Sequence, residues 1–258
     1  MKKYYILLVP LVLIFIALWY RSISSNTSIQ ELNDNLYNAF WENDKVKMQK
    51  LIDQGADVNY KPDDMSATEM LTAAIMYNDV EMVDFLLSNG ANATITLPNG
   101  RNLFSYTNNI NIGKMLLERG VQPSATDHQG NNSLHRICVS GKFDNNFLEF
   151  LLSHGVSVDD KNRQGMTPLH IACMMSKGDN KLQIIKKLLT HKANVNIKDN
   201  SGTIPLQYAA MRDNPETIKI LIKEGSNINH QDIEGNTALH YANALKTLKN
   251  VHFFAYHR

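Results

Sequence analysis

A short pattern recurs six times along this chain of 258 residues: an aliphatic pair, two variable residues and then glycine, which is replaced by lysine in one copy. The copies are LIDQG at 51, LLSNG at 86, LLERG at 116, LLSHG at 151, LLTHK at 188 and LIKEG at 221. The glycine position falls at 55, 90, 120, 155, 192 and 225, which gives spacings of 35, 30, 35, 37 and 33 residues. Such a period is typical of solenoids, in which each unit buries its apolar face by stacking on its neighbours.

A second pattern precedes the aliphatic pair in several units. Its copies are GNNSLHRIC at 130, GMTPLHIAC at 165, GTIPLQYAA at 202 and GNTALHYA at 235. These strings resemble the ankyrin-repeat signature, Thr-Pro-Leu-His followed by a small residue, which is intact from Thr167 to Ala172. Pro168 suits the first turn of a helix, and the glycine after each aliphatic pair suits a left-handed helix end. The resemblance implies an all-α solenoid of helix-turn-helix units with projecting β-hairpin turns.

Three segments are expected in the chain. Residues 1–21 form a signal anchor or signal peptide, residues 22–31 a polar linker, and residues 32–258 the repeat domain with six repeats and a partial seventh. The last unit starts at Asp232 but does not reach an aliphatic pair. Either its tail caps the stack or the chain is shorter than related chains.

Two units depart from the pattern. The third unit is short and lacks the Thr-Pro-Leu-His signature. The fifth unit carries four extra residues within KGDNKLQ at 177, which we expect between its two helices, and Lys192 replaces the glycine.

The N-terminal segment is strongly apolar. Residues 4–20 carry no charge, Lys2 and Lys3 precede them, and Arg21 follows. This run reaches the lower limit of about 17 residues for spanning a bilayer, so we expect a hydrophobic anchor helix in the membrane. Its charge asymmetry favours a repeat domain on the non-cytoplasmic side, periplasmic or extracellular. Cleavage after Ser24 with secretion, or a buried soluble helix, are the alternatives.

The remaining composition excludes several classes of protein. Lysine and arginine total 26 against 25 acidic residues, so no basic field favours nucleic acid. The sequence contains no phosphate-binding loop, no His-Glu-x-x-His pair and no Gly-x-Ser-x-Gly elbow. We therefore expect no enzyme activity, no cofactor and no small-molecule substrate.

Histidine and cysteine recur at fixed repeat positions. His135, His170 and His240 share one position, and Cys138 and Cys173 share another. Equivalent residues in adjacent units lie about 8–10 Å apart, too far to share a zinc ion or to form a disulfide. The family resemblance implies that these histidines bond the backbone of a neighbouring unit. We expect no metal site and two reduced, buried thiols.

The resemblance also implies where a protein partner binds: at the hairpin tips and at free positions on the first helix of each unit. The tip residues are His128, Gln129, Arg163, Gln164, Asn200 and Ile233, and the helix residues are Met76, Tyr77, Val139, Met174, Met175, Met211 and Arg212. Methionine at three of the four helix sites indicates either a flexible apolar binding stripe or packing between helices. Exposure is expected at Tyr77, Met175 and Arg212.

These features favour a non-catalytic protein-protein interaction module that is tethered to or exported across a membrane. The short Lys-Lys leader and the body rich in lysine and asparagine are typical of bacteria. An immunity-type inhibitor of a toxin and a scaffold for an envelope enzyme both fit this class. A secreted effector that acts on host proteins is the competing hypothesis, and it requires a cleaved leader or another secretion route.

Overall fold

The computed structural model describes residues 28–63, 68–141, 144–175, 179–212 and 214–244. Within these ranges the secondary structure is helical and no strand forms. The predicted hydrophobic helix at 4–20, a possible tail cap from Leu245 onward and the cleavage site lie outside the described residues. Among the helices of these ranges, none combines the length with the hydropathy that a membrane span requires.

Contacts group the chain into two compact units, residues 1–92 and residues 93–258. The helices of the first unit are α1 (Ile29–Trp41), α2 (Lys45–Asp53), α3 (Met70–Met76) and α4 (Val80–Ser88). The second unit has a 3-10 helix (Leu103–Tyr106), α5 (Ile110–Glu118), α6 (Ser133–Ser140), α7 (Asn145–Ser153), α8 (Pro168–Met174), α9 (Asp179–Thr190), α10 (Pro205–Met211), α11 (Pro215–Lys223) and α12 (Ala238–Ala244). The boundary between the units follows the second repeat.

Capping side chains start most of the second helices. A side-chain oxygen at the N-cap accepts a backbone N–H from the first turn, which supplies one of the bonds that a helix start lacks. These N-caps are Asp44, Asp79, Asn109, Asp144 and Asn214. At the other end, a left-handed residue follows the helix, and Lys192 adopts this conformation (φ 63°) where its unit lacks glycine.

Helix pairs and small side chains build the core of each unit. In the first unit α1 packs on α2 and α3 packs on α4. In the second unit α10 packs against α8 and α12, and α6 packs against α8. Ala172, Ala209 and Ala242 are fully buried along these first helices. Their small side chains let the helices approach closely.

Aromatic rings of the third and fourth repeats pack together at the short third repeat. Only a 3-10 helix stands in place of its first helix. Phe104 and Phe147 are among the largest fully buried side chains, and each stacks on Phe150 with ring centroids 6.5 and 5.8 Å apart. The buried rings thus provide apolar contact area between these two repeats.

Two boundaries differ from the sequence prediction. The helix α1 starts at Ile29, so residues 29–31 belong to it rather than to the linker, because the Ser28 hydroxyl caps the helix by accepting the Glu31 N–H. Much of the fifth-unit insertion also lies inside a helix rather than between helices. It lengthens α9 to 12 residues, whereas α7, the equivalent helix of the preceding repeat, has nine. Lys181 on this added turn donates to the carbonyls of Cys138 and Val139 at 2.9 and 3.0 Å.

The predicted hairpins are present as tight turns. The Asp199 N–H donates to the Thr203 carbonyl at 3.0 Å, and Asp127 and Asn131 make the equivalent bond at 2.9 Å. Their arms are too short to form strands in the described ranges. The β-hairpin description is therefore corrected to tight turns, in which a second backbone bond runs from the Gly202 N–H to the Asp199 carbonyl and from the Gly130 N–H to the Asp127 carbonyl.

Candidate functional site

The first helices end in a repeated pair of residues, which we call the first-helix ends. The pairs are Trp41 and Glu42, Met76 and Tyr77, Val139 and Ser140, Met174 and Met175, and Met211 and Arg212. Sequence analysis missed the first pair, although Trp41 lies 35 residues before Met76 in the repeat register. A left-handed asparagine follows both of these pairs, at Asn43 and Asn78, and confirms the equivalence.

The first-helix ends differ in their exposure. Tyr77, Met175 and Arg212 are exposed, as predicted, and Met76 is also exposed. Val139, Met174 and Met211 are half-buried. The two interpretations of the methionines thus apply to different residues: Met76 and Met175 present apolar surface, whereas Met174 and Met211 are partly packed.

The predicted tip residues form one row along the second unit. Backbone N–H groups of His128, Arg163, Asn200 and Ile233 donate to carbonyls of the preceding turn at 3.0, 2.9, 3.0 and 3.2 Å. The accepting residues are Asn99, Gln129, Gln164 and Ser201. His128, Gln129, Arg163, Gln164, Asn200 and Ile233 all have exposed side chains. The structure therefore brings the tip residues together on one surface.

An acidic or amide side chain fixes the shape of each turn in this row. Asp199 Oδ1 accepts the N–H groups of Ser201 and Thr203, both at 2.9 Å. Asp127, Asn162 and Asp232 accept two N–H groups in the same way. These bonds satisfy the backbone N–H groups of each turn from within the turn. The backbone that carries the exposed tip side chains is therefore held rigidly.

Buried histidines connect consecutive repeats, as the resemblance implied. His135 Nε2 lies 3.1 Å from the Met166 carbonyl, and His170 Nε2 lies 3.1 Å from the Thr203 carbonyl. The Nδ1 atoms bond to Asn132 and Thr167 at the starts of their own helices. Within the described residues, no group of three or more His, Cys, Asp or Glu side chains is placed to hold a metal ion.

The two cysteines are buried free thiols, as predicted. Burial raises the pKa of Cys138 to about 12 and also raises the pKa of Cys173. Both side chains therefore stay protonated and serve as small apolar groups in the core.

We expect the protein to lose stability as the pH falls below about 6.5, the usual histidine pKa. Burial lowers the pKa of His135 and His170 against the opposing effect of their carbonyl partners. These histidines therefore bind protons more readily in the unfolded chain than in the folded one. The stability that the neutral histidines contribute is complete above their unfolded pKa and is lost as the pH falls from there towards their folded pKa. Each histidine contributes a slope of up to about 1.4 kcal/mol per pH unit until its folded pKa is reached.

Urea unfolding of the full-length chain at a series of pH values measures this slope. The control is the double variant His135→Gln and His170→Gln, because Gln207 occupies the equivalent position in the next repeat. Its side chain accepts the Ile204 N–H at 2.9 Å and donates to the Asn236 carbonyl at 2.7 Å. The double variant should fold and show a flatter profile between about pH 7 and pH 5. Equal slopes for both proteins would contradict the assignment to these histidines.

Comparison with known families supports the repeat assignment. A three-copy model of ankyrin repeats matches residues 102–199 and residues 174–257, and a single ankyrin-repeat model matches residues 70–99. The three-copy matches together span residues 102–257, more than half of the chain. A search of curated protein sequences found no match.

Proposed function

Because the chain belongs to the ankyrin-repeat family, we propose that it is a non-catalytic protein that binds a protein partner through its first-helix ends and its turn tips. Ankyrin repeats form protein-protein interaction modules, in which stacked units offer an extended surface for a partner. Specificity in such modules depends on the side chains that the stack leaves exposed.

One observation carries this proposal: where the exposed large apolar side chains lie. In the described ranges they are Ile29, Trp41, Val46, Met76, Tyr77, Met175 and Ile233. Five of these seven belong to the first-helix ends or the turn tips. Exposed apolar and aromatic side chains that cluster at repeated positions mark a binding surface, because their burial against a partner stabilises the complex.

We place this module at a membrane, with the repeats on the non-cytoplasmic side. The support comes from the uncharged run at residues 4–20, the two lysines before it and the single arginine after it. A tethered domain meets partners at the membrane surface. A bacterial envelope protein that restrains a partner there is the most specific form of the proposal.

An affinity capture from native membranes tests the binding surface. The tagged full-length chain should enrich a protein partner, and the triple variant Met76→Glu, Tyr77→Glu and Met175→Glu should weaken its capture by about 100-fold or more, as expected when interface anchors are lost. These three positions are chosen because they are exposed, so the charges do not enter the core. Half-buried Met174 and Met211 are left unchanged.

The matched control carries Ile29→Glu and Val46→Glu, two apolar residues outside the proposed surface that are each 69% exposed. Capture should persist with this control, and circular dichroism should show equal helix content in all three proteins. Equal loss in both variants, or a partner retained by the triple variant, would contradict binding at the first-helix ends. Release of the repeat domain from membranes after cleavage would contradict the tether and favour the secreted effector.

A further inference from the structure

Four aromatic rings meet at the first-helix ends of the first unit. Trp41 contacts Tyr37, Phe40 and Tyr77, with ring centroids 6.0, 5.0 and 6.1 Å apart. The Trp41 and Tyr77 planes are nearly perpendicular, at 89°. Trp41 is 49% exposed and Tyr77 is 73% exposed, so both rings offer uncovered area. We call this group the aromatic corner.

An open pocket of about 200 Å³ lies beside the aromatic corner. Its floor consists of the buried residues Phe40, Ala74 and Met82. Trp41 and Tyr77 form walls, and Asn43 and Asp79 complete the lining. This volume is below the roughly 300–1,000 Å³ of pockets for drug-sized ligands, and it suits a single side chain.

One acidic residue lines the pocket. Asp79 is its one charged lining residue, and no lysine or arginine lines it. Asp79 Oδ1 accepts the Met82 N–H at 2.9 Å as a helix cap, and that bond does not engage Oδ2. Two lysines that follow Asn43 in the sequence form ion pairs with residues that do not line the pocket. Lys45 contacts Glu81 at 3.0 Å, and Lys47 contacts Glu42 at 2.8 Å.

We propose that this pocket binds a lysine or arginine side chain of the protein partner. The faces of aromatic rings carry partial negative charge and attract cations, most strongly at tryptophan. Trp41 and Tyr77 supply exposed aromatic surface beside the pocket, Asp79 supplies a carboxylate, and the apolar floor accommodates the alkyl stem of the cationic side chain. This inference rests on the proposed function and adds the chemistry of one anchor residue.

The test uses short glycine peptides that each carry one lysine, one arginine or one norleucine, the uncharged analogue of lysine. Trp41 fluorescence reports binding to the full-length chain once Trp19→Phe removes the other of its two tryptophans. We expect saturable binding, with the lysine and arginine peptides preferred over norleucine by about five-fold, the size of one cation–π contact at a partly exposed ring. Added salt should reduce this preference.

Three variants separate the contributions. Asp79→Asn keeps a good helix cap and removes the charge, so it should reduce the preference for the cationic peptides. Asp144→Asn makes the same change at the cap of α7, which does not line the pocket, and should leave the preference unchanged. Tyr77→Leu should lower the affinity for the cationic peptides, whereas Tyr77→Phe should retain it because the ring face remains.

Equal binding of norleucine and lysine would overturn the proposal and leave a plain apolar pocket. An absence of saturable binding by the cationic peptides would overturn it as well, as would an equal effect of Asp79→Asn and Asp144→Asn. Failure here is distinct from failure of the proposed function. A partner that is still captured from membranes, and still lost in the triple glutamate variant, would uphold the binding surface without a cationic anchor.

Discussion

Replacing Gly165 by alanine should destabilise the protein by about 3 to 4 kcal/mol. Gly165 has a left-handed backbone (φ +74°), which costs a residue with a side chain about 1–2 kcal/mol. A methyl group there would also lie 2.8 Å from the Asn200 nitrogen and 3.1 Å from the Asp199 carbonyl carbon. The next turn must therefore shift, which strains the 3.0 Å bond from Asn200 N–H to the Gln164 carbonyl.

The control for this prediction is Gly155→Ala. Gly155 is also left-handed (φ +86°), but a methyl group would meet no atom within 4 Å. Its cost should therefore be the backbone strain alone, about 1–2 kcal/mol. Urea unfolding followed by circular dichroism compares the two variants. If the two variants lose equal free energy of unfolding, the close contact between consecutive turns does not add to the cost of the methyl group at Gly165.

His170→Ala should destabilise the protein by about 3 kcal/mol or more. The imidazole is fully buried and joins two repeats, because Nδ1 accepts the Thr167 N–H at 3.1 Å and Nε2 lies 3.1 Å from the Thr203 carbonyl. Alanine leaves both backbone groups without these partners and opens a cavity. Denaturant unfolding measures the loss directly.

Two substitutions calibrate the histidine result. His170→Gln should restore most of the stability, since Gln207 already makes the equivalent pair of bonds in the following repeat. His240→Ala removes the histidine at the exposed equivalent position, where its bonds within the described ranges are to Thr237 of the same unit, and should cost less than about 1 kcal/mol. A large loss in His240→Ala would mean that the local cap, rather than the inter-repeat bond, dominates.

The proposed binding residues are supported differently in the two units. In the second unit, side chains of Asp127, Asn162, Asp199 and Asp232 hold the turns, and backbone bonds align consecutive tips. In the first unit, the aromatic corner is held by ring contacts and by the capped start of α4. Rigid support of this kind limits the entropy that exposed side chains lose when a partner binds.

The sequence by itself determined the repeat, its period and most helix ends. These features depend on local chemistry: an aliphatic pair on one helix face, a proline in the first turn, and a left-handed residue after the helix. Each signal is readable because it acts within one repeat and recurs in several copies. The reduced, buried thiols followed from the same register, whereas the bonds of the histidines to a neighbouring unit were implied by the family resemblance.

Tertiary structure decided how each repeated position is used. Equivalent methionines differ in exposure, since Met76 lies open while Met174 and Met211 are partly packed. The helical insertion in the fifth unit and the ring-filled third unit were likewise settled by contacts between repeats. Trp41 contacts Tyr77 because the stacking of consecutive repeats brings together residues that are 36 positions apart in the sequence. Such contacts depend on the volume and shape of non-local neighbours, which a local pattern does not encode.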